Sequence, residues 1–161
     1  KALNNPDINF IGIEKYTSIV ARALKKLENL KLPNLKIING DALELSEIFD
    51  KEISTIYLNF SDPWPKERHA KRRLTSKVFL SIYDDIFKSD GVIIQKTDNV
   101  NLFESSIISL TNYGYKIVDI SLDLWKTDKT YEETEYEHKF KSQGVKINYL
   151  KAVKLSNLKN L

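Results

Sequence analysis

Short, almost continuously apolar runs alternate with segments of helical periodicity along this chain of 161 residues. Such runs are typical of strands in a parallel sheet, because helices cover both faces of that sheet. We predict four of these strands, at 8–13, 35–40, 54–60 and 92–95. The alternation predicts an α/β fold with a mainly parallel sheet, in a single domain spanning 1–161.

Helix signals fall between the predicted strands. Thr17 or Ser18 is expected to cap the first helix, and Ser76 the second. A third helix is predicted from about 100 to 112, where Gly114 ends it.

The remaining segments predict the end of the sheet. Asp90 and Gly91 predict a turn before the fourth strand. Two long apolar segments, 115–125 and 145–153, predict closing strands that pair antiparallel. The polar segment 126–143 between them predicts a loop.

An acid ends or closely follows each of the four predicted parallel strands. These acids are Glu14, Asp41, Asp62 and Asp98. Because parallel strands bring their carboxyl ends to one edge of the sheet, we expect a ligand site there. Two of these acids each have two possible roles. Glu14 either accepts hydrogen bonds from ribose hydroxyls or stabilises the N-terminus of the next helix. Asp41 either contacts the edge of an adenine base or caps a helix.

The glycines do not supply a phosphate- or cofactor-binding turn. An acid that binds ribose usually follows a glycine-rich turn by about 20 residues. The five glycines form no GxG pattern, and the chain contains no methionine. We therefore expect a strand and a glycine-rich loop upstream of Lys1.

Residues 59–73, NFSDPWPKERHAKRR, combine an acid, an aromatic ring and a block of cations. Two prolines stiffen the loop that carries Asp62 and Trp64, and they favour extended backbone before them. An acid beside an aromatic ring suits an unstacked base. The alternative is a surface turn with Trp64 packed into the core.

Positive charge follows this loop directly. Residues 66–77 hold six Lys or Arg and one Glu, a net charge of +5, whereas the whole chain carries only +3. If 67–73 is α-helical, Arg68 and Arg72 share a face. A local cluster of this kind favours binding of an RNA backbone. The alternative is a solvated basic face.

Composition excludes several kinds of site. The chain has no cysteine, which removes disulfides, thiolate nucleophiles and zinc–thiolate centres. Its two histidines, His69 and His138, do not favour a metal site. The chain has no apolar run of about 18 residues, so no membrane span is predicted, and no secretory signal is visible. We expect a cytoplasmic protein without a metal.

Five motifs resemble the bacterial tRNA (guanine-N7)-methyltransferase family, in order and across nearly the whole chain. They are IGIEKY (11–16), NGDA (39–42), YLNFSDPWPKERHAKRRL (57–74), KTDN (96–99) and TEYEHKF (134–140). The resemblance implies a Rossmann-like class I methyltransferase fold. It also implies transfer of a methyl group from S-adenosylmethionine to N7 of a guanine in the tRNA variable loop, by a monomer or homodimer.

The resemblance also implies roles for individual residues. Glu14, Asp41 and Asp62 would hold the cofactor, and Asp62 would also be catalytic. The substrate would contact Lys66, Asp98, Thr134, Glu135, Tyr136 and Glu137. The RNA would contact Arg68, His69, Lys71, Arg72 and Arg73. The family's glycine loop has no counterpart in this chain.

The chemistry of guanine N7 makes modest demands on the protein. N7 carries an exposed lone pair, so alignment with the methyl donor matters more than a general base. A carboxylate such as Asp62 stabilises the positive charge that develops on the base, or accepts the guanine N1–H and N2–H. Two alternatives remain from the residues alone: methylation of an exocyclic amine, and a non-catalytic RNA-binding module.

Overall fold

A computed structural model of the chain describes residues 1–127, 133 and 135–154, apart from the side chains of Asp90, Glu135 and Tyr136. The chain divides into two compact units, Lys1–Leu45 and Ser46–Leu161. In the described part, no helix is both long enough and apolar enough to cross a membrane. Nor do those residues contain a cluster of three or more acids and histidines able to hold a metal ion.

The first unit is built on two parallel strands, β1 (Phe10–Glu14) and β2 (Leu35–Asn39), joined by helix α1 (Thr17–Leu27). The register sets Glu14 opposite Asn39, so both strands end together. Helix α1 begins at Thr17, with Tyr16 in the capping position and no side-chain cap. The predicted cap at Thr17 or Ser18 is therefore wrong, because the Thr17 hydroxyl donates to Asn39 Oδ1 (2.9 Å) instead.

The second unit holds a four-stranded sheet in the order β3-β4-β6-β5. Its strands are β3 (Ile53–Asn59), β4 (Phe87–Thr97), β5 (Tyr115–Ser121) and β6 (Asn148–Lys154). Strands β3 and β4 are parallel, whereas β6 is antiparallel to both neighbours. Three strands therefore run in one direction, which confirms the mainly parallel sheet with an antiparallel closing strand.

Strand β4 is buried on both faces, because other elements pack against each side of the sheet. Helices α3 (Lys77–Ile86) and α4 (Val100–Tyr113) supply Leu80, Tyr83, Phe103 and Leu110 to the main core. A second cluster, on Leu124, Ile147 and Tyr149, includes Ile94 of β4. Short helix α2 (Leu45–Ile48) precedes the sheet, and α5 (Glu135–Ser142) precedes β6.

The helix ends of the second unit bear out part of the sequence analysis. Gly114 ends α4 with a left-handed backbone (φ 106°), as predicted. Helix α3 follows Ser76 as predicted, but the Ser76 hydroxyl makes no capping bond and donates to the Lys71 carbonyl (2.9 Å).

Two predicted connections differ from the structure. Asp90 and Gly91 do not form a turn, because β4 continues through them with a register shift against β3 between Ile53 and Thr55. The segment 126–143 is not only a loop, because it contains α5. A 3-10 turn at Leu124–Lys126 also ends β5 earlier than expected.

Candidate functional site

The first group of predicted site residues lies where β1 and β2 end. Glu14 Oε1 accepts a hydrogen bond from the Tyr16 amide (2.8 Å), which shapes the turn into α1. Asn39 stabilises this turn by donating its side-chain amide to the carbonyls of Glu14 (2.8 Å) and Lys15 (3.0 Å). Within the described part of the chain, Glu14 Oε2 has no hydrogen-bond donor. One carboxylate oxygen is thus left to accept a ligand hydroxyl.

Asp41 follows β2 and begins a 3-10 turn at Ala42–Glu44, with its Oδ1 accepting from the Leu43 amide (3.0 Å). Its Oδ2 forms an ion pair with Lys15 Nζ (2.6 Å). The Lys15 hydrogen bond, together with that from Leu43, holds the pKa of the Asp41 carboxyl below its usual value. Asp41 therefore caps a turn, as its alternative interpretation proposed, and it is ionised at neutral pH.

The loop after β3, which we call the DPWP loop (Asp62–Pro65), has a strained backbone. Phe60 and Trp64 adopt positive φ angles of 53° and 41°. Bulky residues rarely occupy this region, and such strain concentrates at functional sites. The extended backbone expected before Pro65 is therefore wrong for Trp64. Asp62 is exposed, and no described residue forms a hydrogen bond or ion pair with it.

The basic segment after the DPWP loop is a 3-10 helix at Glu67–Arg72, not an α-helix. In a 3-10 helix, residues three apart share a face, so Arg68 and Arg72 do not. Instead His69 and Arg72 share one, and both contact the Trp64 ring. His69 meets the ring edge-on at 5.8 Å between centroids, and the Arg72 guanidinium lies 4.9 Å above it. Trp64 is half-buried, with this cation on one face.

Arg73 is turned toward the DPWP loop and is half-buried. Its Nε lies 3.3 Å from the carbonyl oxygens of both Pro63 and Trp64, and its Nη2 lies 3.1 Å from that of Trp64. These bonds connect Arg73, the last residue of the stretch 59–73, to the strained backbone of the loop. In this structure Arg73 supports the loop, whereas Lys66, Arg68, Lys71 and Arg72 remain exposed.

Asp98 lies one residue beyond the end of β4 and is exposed. Asn99 caps the following helix α4, with its Oδ1 accepting from the Leu102 amide (2.8 Å). Because Asn59 pairs with Lys96, the parallel strands β3 and β4 end side by side. The structure therefore brings Asp62 and Asp98 to one edge of the sheet of the second unit.

Glu137 joins the same edge from helix α5. It is fully buried, and its Oε1 lies 2.7 Å from Nζ of Lys96, which is also buried. The predicted site residue Thr134 lies outside the described residues, as do the side chains of Glu135 and Tyr136. Sequence reasoning missed Lys96, although a lysine at the end of the apolar run VIIQ was a signal.

Comparisons with known proteins give matches in both sequence and structure. A protein-family profile described as "Putative methyltransferase" matches residues 1–150. A tRNA (guanine-N(7)-)-methyltransferase from Bacillus cytotoxicus is 54% identical over 150 residues, covering 92% of this chain and 69% of the relative. One from Geobacillus thermodenitrificans is 49% identical over 152 residues, covering 93% and 70%.

Solved structures with low sequence identity share the fold. An antibiotic-related methyltransferase superposes with a TM-score of 0.64 at 18% identity, over 94% of this chain and 78% of that one. A SAM-dependent methyltransferase from Aquifex aeolicus gives a TM-score of 0.60 at 12% identity, over 91% and 69%. The chain thus has the Rossmann-like α/β fold of class I methyltransferases.

Proposed function

Because the chain belongs to the tRNA (guanine-N7)-methyltransferase family, we propose that it transfers a methyl group from S-adenosylmethionine to N7 of a guanine in the tRNA variable loop. One observation carries this proposal. Asp62 is exposed and unpaired among the described residues, on a strained loop, beside Asp98 and next to a block of exposed cations. A carboxylate for the guanine base thus lies next to cations for the RNA backbone.

The ends of β1 and β2 fit the nucleoside part of the methyl donor. Glu14 Oε2 is available to accept ribose hydroxyls, while Asp41 already binds Lys15 and Leu43. Carboxylate oxygens have two acceptor positions each, so Asp41 still has capacity for an adenine amine. When bound, S-adenosylmethionine supplies an electrophilic methyl group on a sulfonium centre.

Asp62 acts on the guanine in this proposal. Guanine N7 would attack the methyl carbon through its own lone pair, and the methyl–sulfur bond would break to release S-adenosylhomocysteine. No residue would have to remove a proton from N7. The base becomes cationic as the new bond forms, and a carboxylate held beside it stabilises that charge. Its neighbour Asp98, also exposed at this edge, contacts the substrate, and the Glu137 carboxylate accepts from the guanine N1–H and N2–H.

The exposed cations after the loop hold the tRNA backbone. Lys66, Arg68 and Lys71 are all exposed and follow the DPWP loop within ten residues. Phosphate contacts supply most of the affinity and fix the register of the RNA. We include Thr134, Glu135, Tyr136 and Glu137 among the guanine contacts on the basis of the family resemblance.

Two further properties belong to the same proposal. We propose that the enzyme acts in the cytoplasm, where tRNA is its substrate. We also propose a monomer or homodimer, which light scattering at micromolar concentration distinguishes from larger assemblies.

The experiment compares Asp62→Ala with Asp50→Ala, a change at an exposed aspartate before the amino end of β3. Asp62→Ala should lower kcat by about 100-fold or more, as expected for losing a group that stabilises transition-state charge. Affinity for tRNA should stay within about twofold, because phosphate contacts remain. Asp50→Ala should match wild type in both measurements. A kcat for Asp62→Ala within a few-fold of wild type would contradict the role of Asp62.

Product analysis tests the reaction itself. Nucleosides from methylated tRNA should contain 7-methylguanosine, whereas an exocyclic-amine methyltransferase would form an N-methylated amine. Calorimetry with S-adenosylhomocysteine should detect binding, whereas a purely RNA-binding module would give no heat.

A further inference from the structure

We propose that Lys96 is a positioning residue for methyl transfer, which holds the Glu137 carboxylate in place at the edge that carries Asp62 and Asp98. This inference rests on the proposed function and deepens it. The sequence motifs assigned no role to Lys96, and its side chain is almost completely buried.

The first argument is the cost of burying the pair. The side chains of Lys96 and Glu137 are 5% and 0% exposed, and their charged atoms are 2.7 Å apart. Removing two charges from water costs several kcal/mol for each ion, and a well-packed apolar pair of similar volume often gives an equally stable fold. Stability alone therefore does not account for this pair, which suggests that the charge itself is used.

The second argument is where the pair lies in the fold. Side chains alternate along β4, so Ile94 and Lys96 point to the face opposite Gln95, which bonds to Ser106 of α4. Glu137 lies one helical turn before Phe140 on α5, and Phe140 contacts Phe60 (5.7 Å between ring centroids). Helix α5 therefore rests on this face through both residues.

Lys96 also connects the pair to the DPWP loop. Its carbonyl accepts a hydrogen bond from the amide of Phe60 (2.9 Å), the strained residue that leads into that loop. The main chain of Lys96 thus stabilises the base of the DPWP loop, and its side chain holds Glu137. A change at Lys96 should affect the chemistry through Glu137.

The third argument is the chemistry of the base. An ionised carboxylate accepts the guanine N1–H and N2–H, whereas a protonated carboxyl must donate one of its own hydrogens. The Lys96 ammonium binds Glu137 Oε1 and so fixes the orientation of this carboxylate at the edge of the sheet.

Lys96 is not available for the RNA backbone. It is 4% exposed, whereas Lys66, Arg68 and Lys71 are open to solvent. Its charge therefore serves Glu137 and not phosphates, so removing it should leave the salt dependence of tRNA binding unchanged.

The experiment separates positioning from packing in the intact enzyme. Four variants are compared: Lys96→Met, Glu137→Gln, the double variant, and the control Lys116→Met. Lys116 is an exposed lysine on β5, on the same sheet. The measurements are the thermal unfolding midpoint, kcat, and KM for tRNA and for S-adenosylmethionine.

Each single change breaks the buried ion pair and should lower the unfolding midpoint by about 10 °C. The double variant removes both charges and should recover most of that loss. Its kcat should nonetheless stay about 100-fold or more below wild type, no higher than that of Glu137→Gln, because Lys96 acts on the reaction through Glu137. KM for S-adenosylmethionine should not change, and Lys116→Met should match wild type throughout.

Recovery of kcat together with stability in the double variant would overturn the inference, because the pair would then serve packing alone. Wild-type kcat in a folded Lys96→Met variant would overturn it as well. Should Lys96→Met not fold, recovery of kcat in the double variant would still overturn the inference. Failure of the proposed function is distinct, because wild-type protein would then form no 7-methylguanosine.

Discussion

Arg73 should support the DPWP loop and not bind a phosphate, and this expectation can be tested through stability. Its guanidinium makes three contacts of 3.1–3.3 Å with the carbonyls of Pro63 and Trp64. The contacts are long and Nε is shared, so we count them as two ordinary hydrogen bonds of about 1 kcal/mol each. Arg73→Ala should therefore lower the free energy of unfolding by about 2 kcal/mol, or about 4–8 °C in melting temperature.

Arg73→Lys sharpens the test because it keeps the charge. A lysine ammonium lacks the planar fork that reaches two carbonyl groups at once, so most of the stability should still be lost. At a phosphate, by contrast, lysine would serve nearly as well as arginine. The expected result is a melting temperature for Arg73→Lys close to that of Arg73→Ala.

The matched control is Arg68→Ala, an exposed arginine on the neighbouring 3-10 helix. Its melting temperature should equal that of wild type. Its tRNA affinity should fall, and the slope of log affinity against log salt should drop by about 0.7–0.9 for one lost phosphate contact. Arg73→Ala should keep the wild-type slope while kcat falls, because the loop that holds Asp62 loosens.

Circular dichroism melting, tRNA filter binding at several salt concentrations and single-turnover methylation measure these effects. The reasoning is refuted if Arg73→Lys melts like wild type and Arg73→Ala reduces the salt slope as Arg68→Ala does. Arg73 would then belong with the phosphate-binding residues.

Two further predictions concern the two units separately. Gly91→Ala should cost about 2 kcal/mol and lower the melting temperature by about 4–8 °C, because a Cβ there would overlap the buried Phe87 ring. Phe87→Leu in the same chain should restore part of the loss, and an unchanged melting temperature for Gly91→Ala would contradict the expected overlap. In the first unit, Lys15 and the Leu43 amide lower the pKa of Asp41, so they add stability above the unfolded pKa near 3.8 that is lost as pH falls through the folded value. Asp41→Asn should thus destabilise the protein to urea at pH 7, and this effect should shrink as the pH falls below 3.8. An effect that stays equal at all pH values would rule out the ion pair as its cause.

The sequence by itself determined the order and type of most elements. Apolar runs and a glycine at a helix end are local signals, and they correctly predicted the four parallel strands, the α4 stop at Gly114 and the antiparallel closing strands. Local signals failed where the neighbours in space decided the outcome. The run Asp90-Gly91 is a turn by composition, yet it continues β4 because β3 pairs with residues on either side of it.

The candidate site shows the same division. The positions of Asp62 and Asp98 follow from the ends of two parallel strands, which a sequence pattern reveals. The partners of Arg73, Lys96 and Glu137 do not, because each lies 9 to 41 residues away along the chain. Within the basic segment, the type of helix decided which side chains share a face, and spacing alone did not distinguish a 3-10 helix from an α-helix.

Charge illustrates the physical reason most directly. In the sequence, Arg73 and Lys96 are cations like their neighbours, and both are equally suited to RNA. Only the tertiary structure half-buries Arg73 against carbonyl oxygens and buries Lys96 against a carboxylate. A charged side chain that is removed from water must have a partner within the protein. Such a side chain therefore holds a loop or a carboxylate in place and does not bind phosphates.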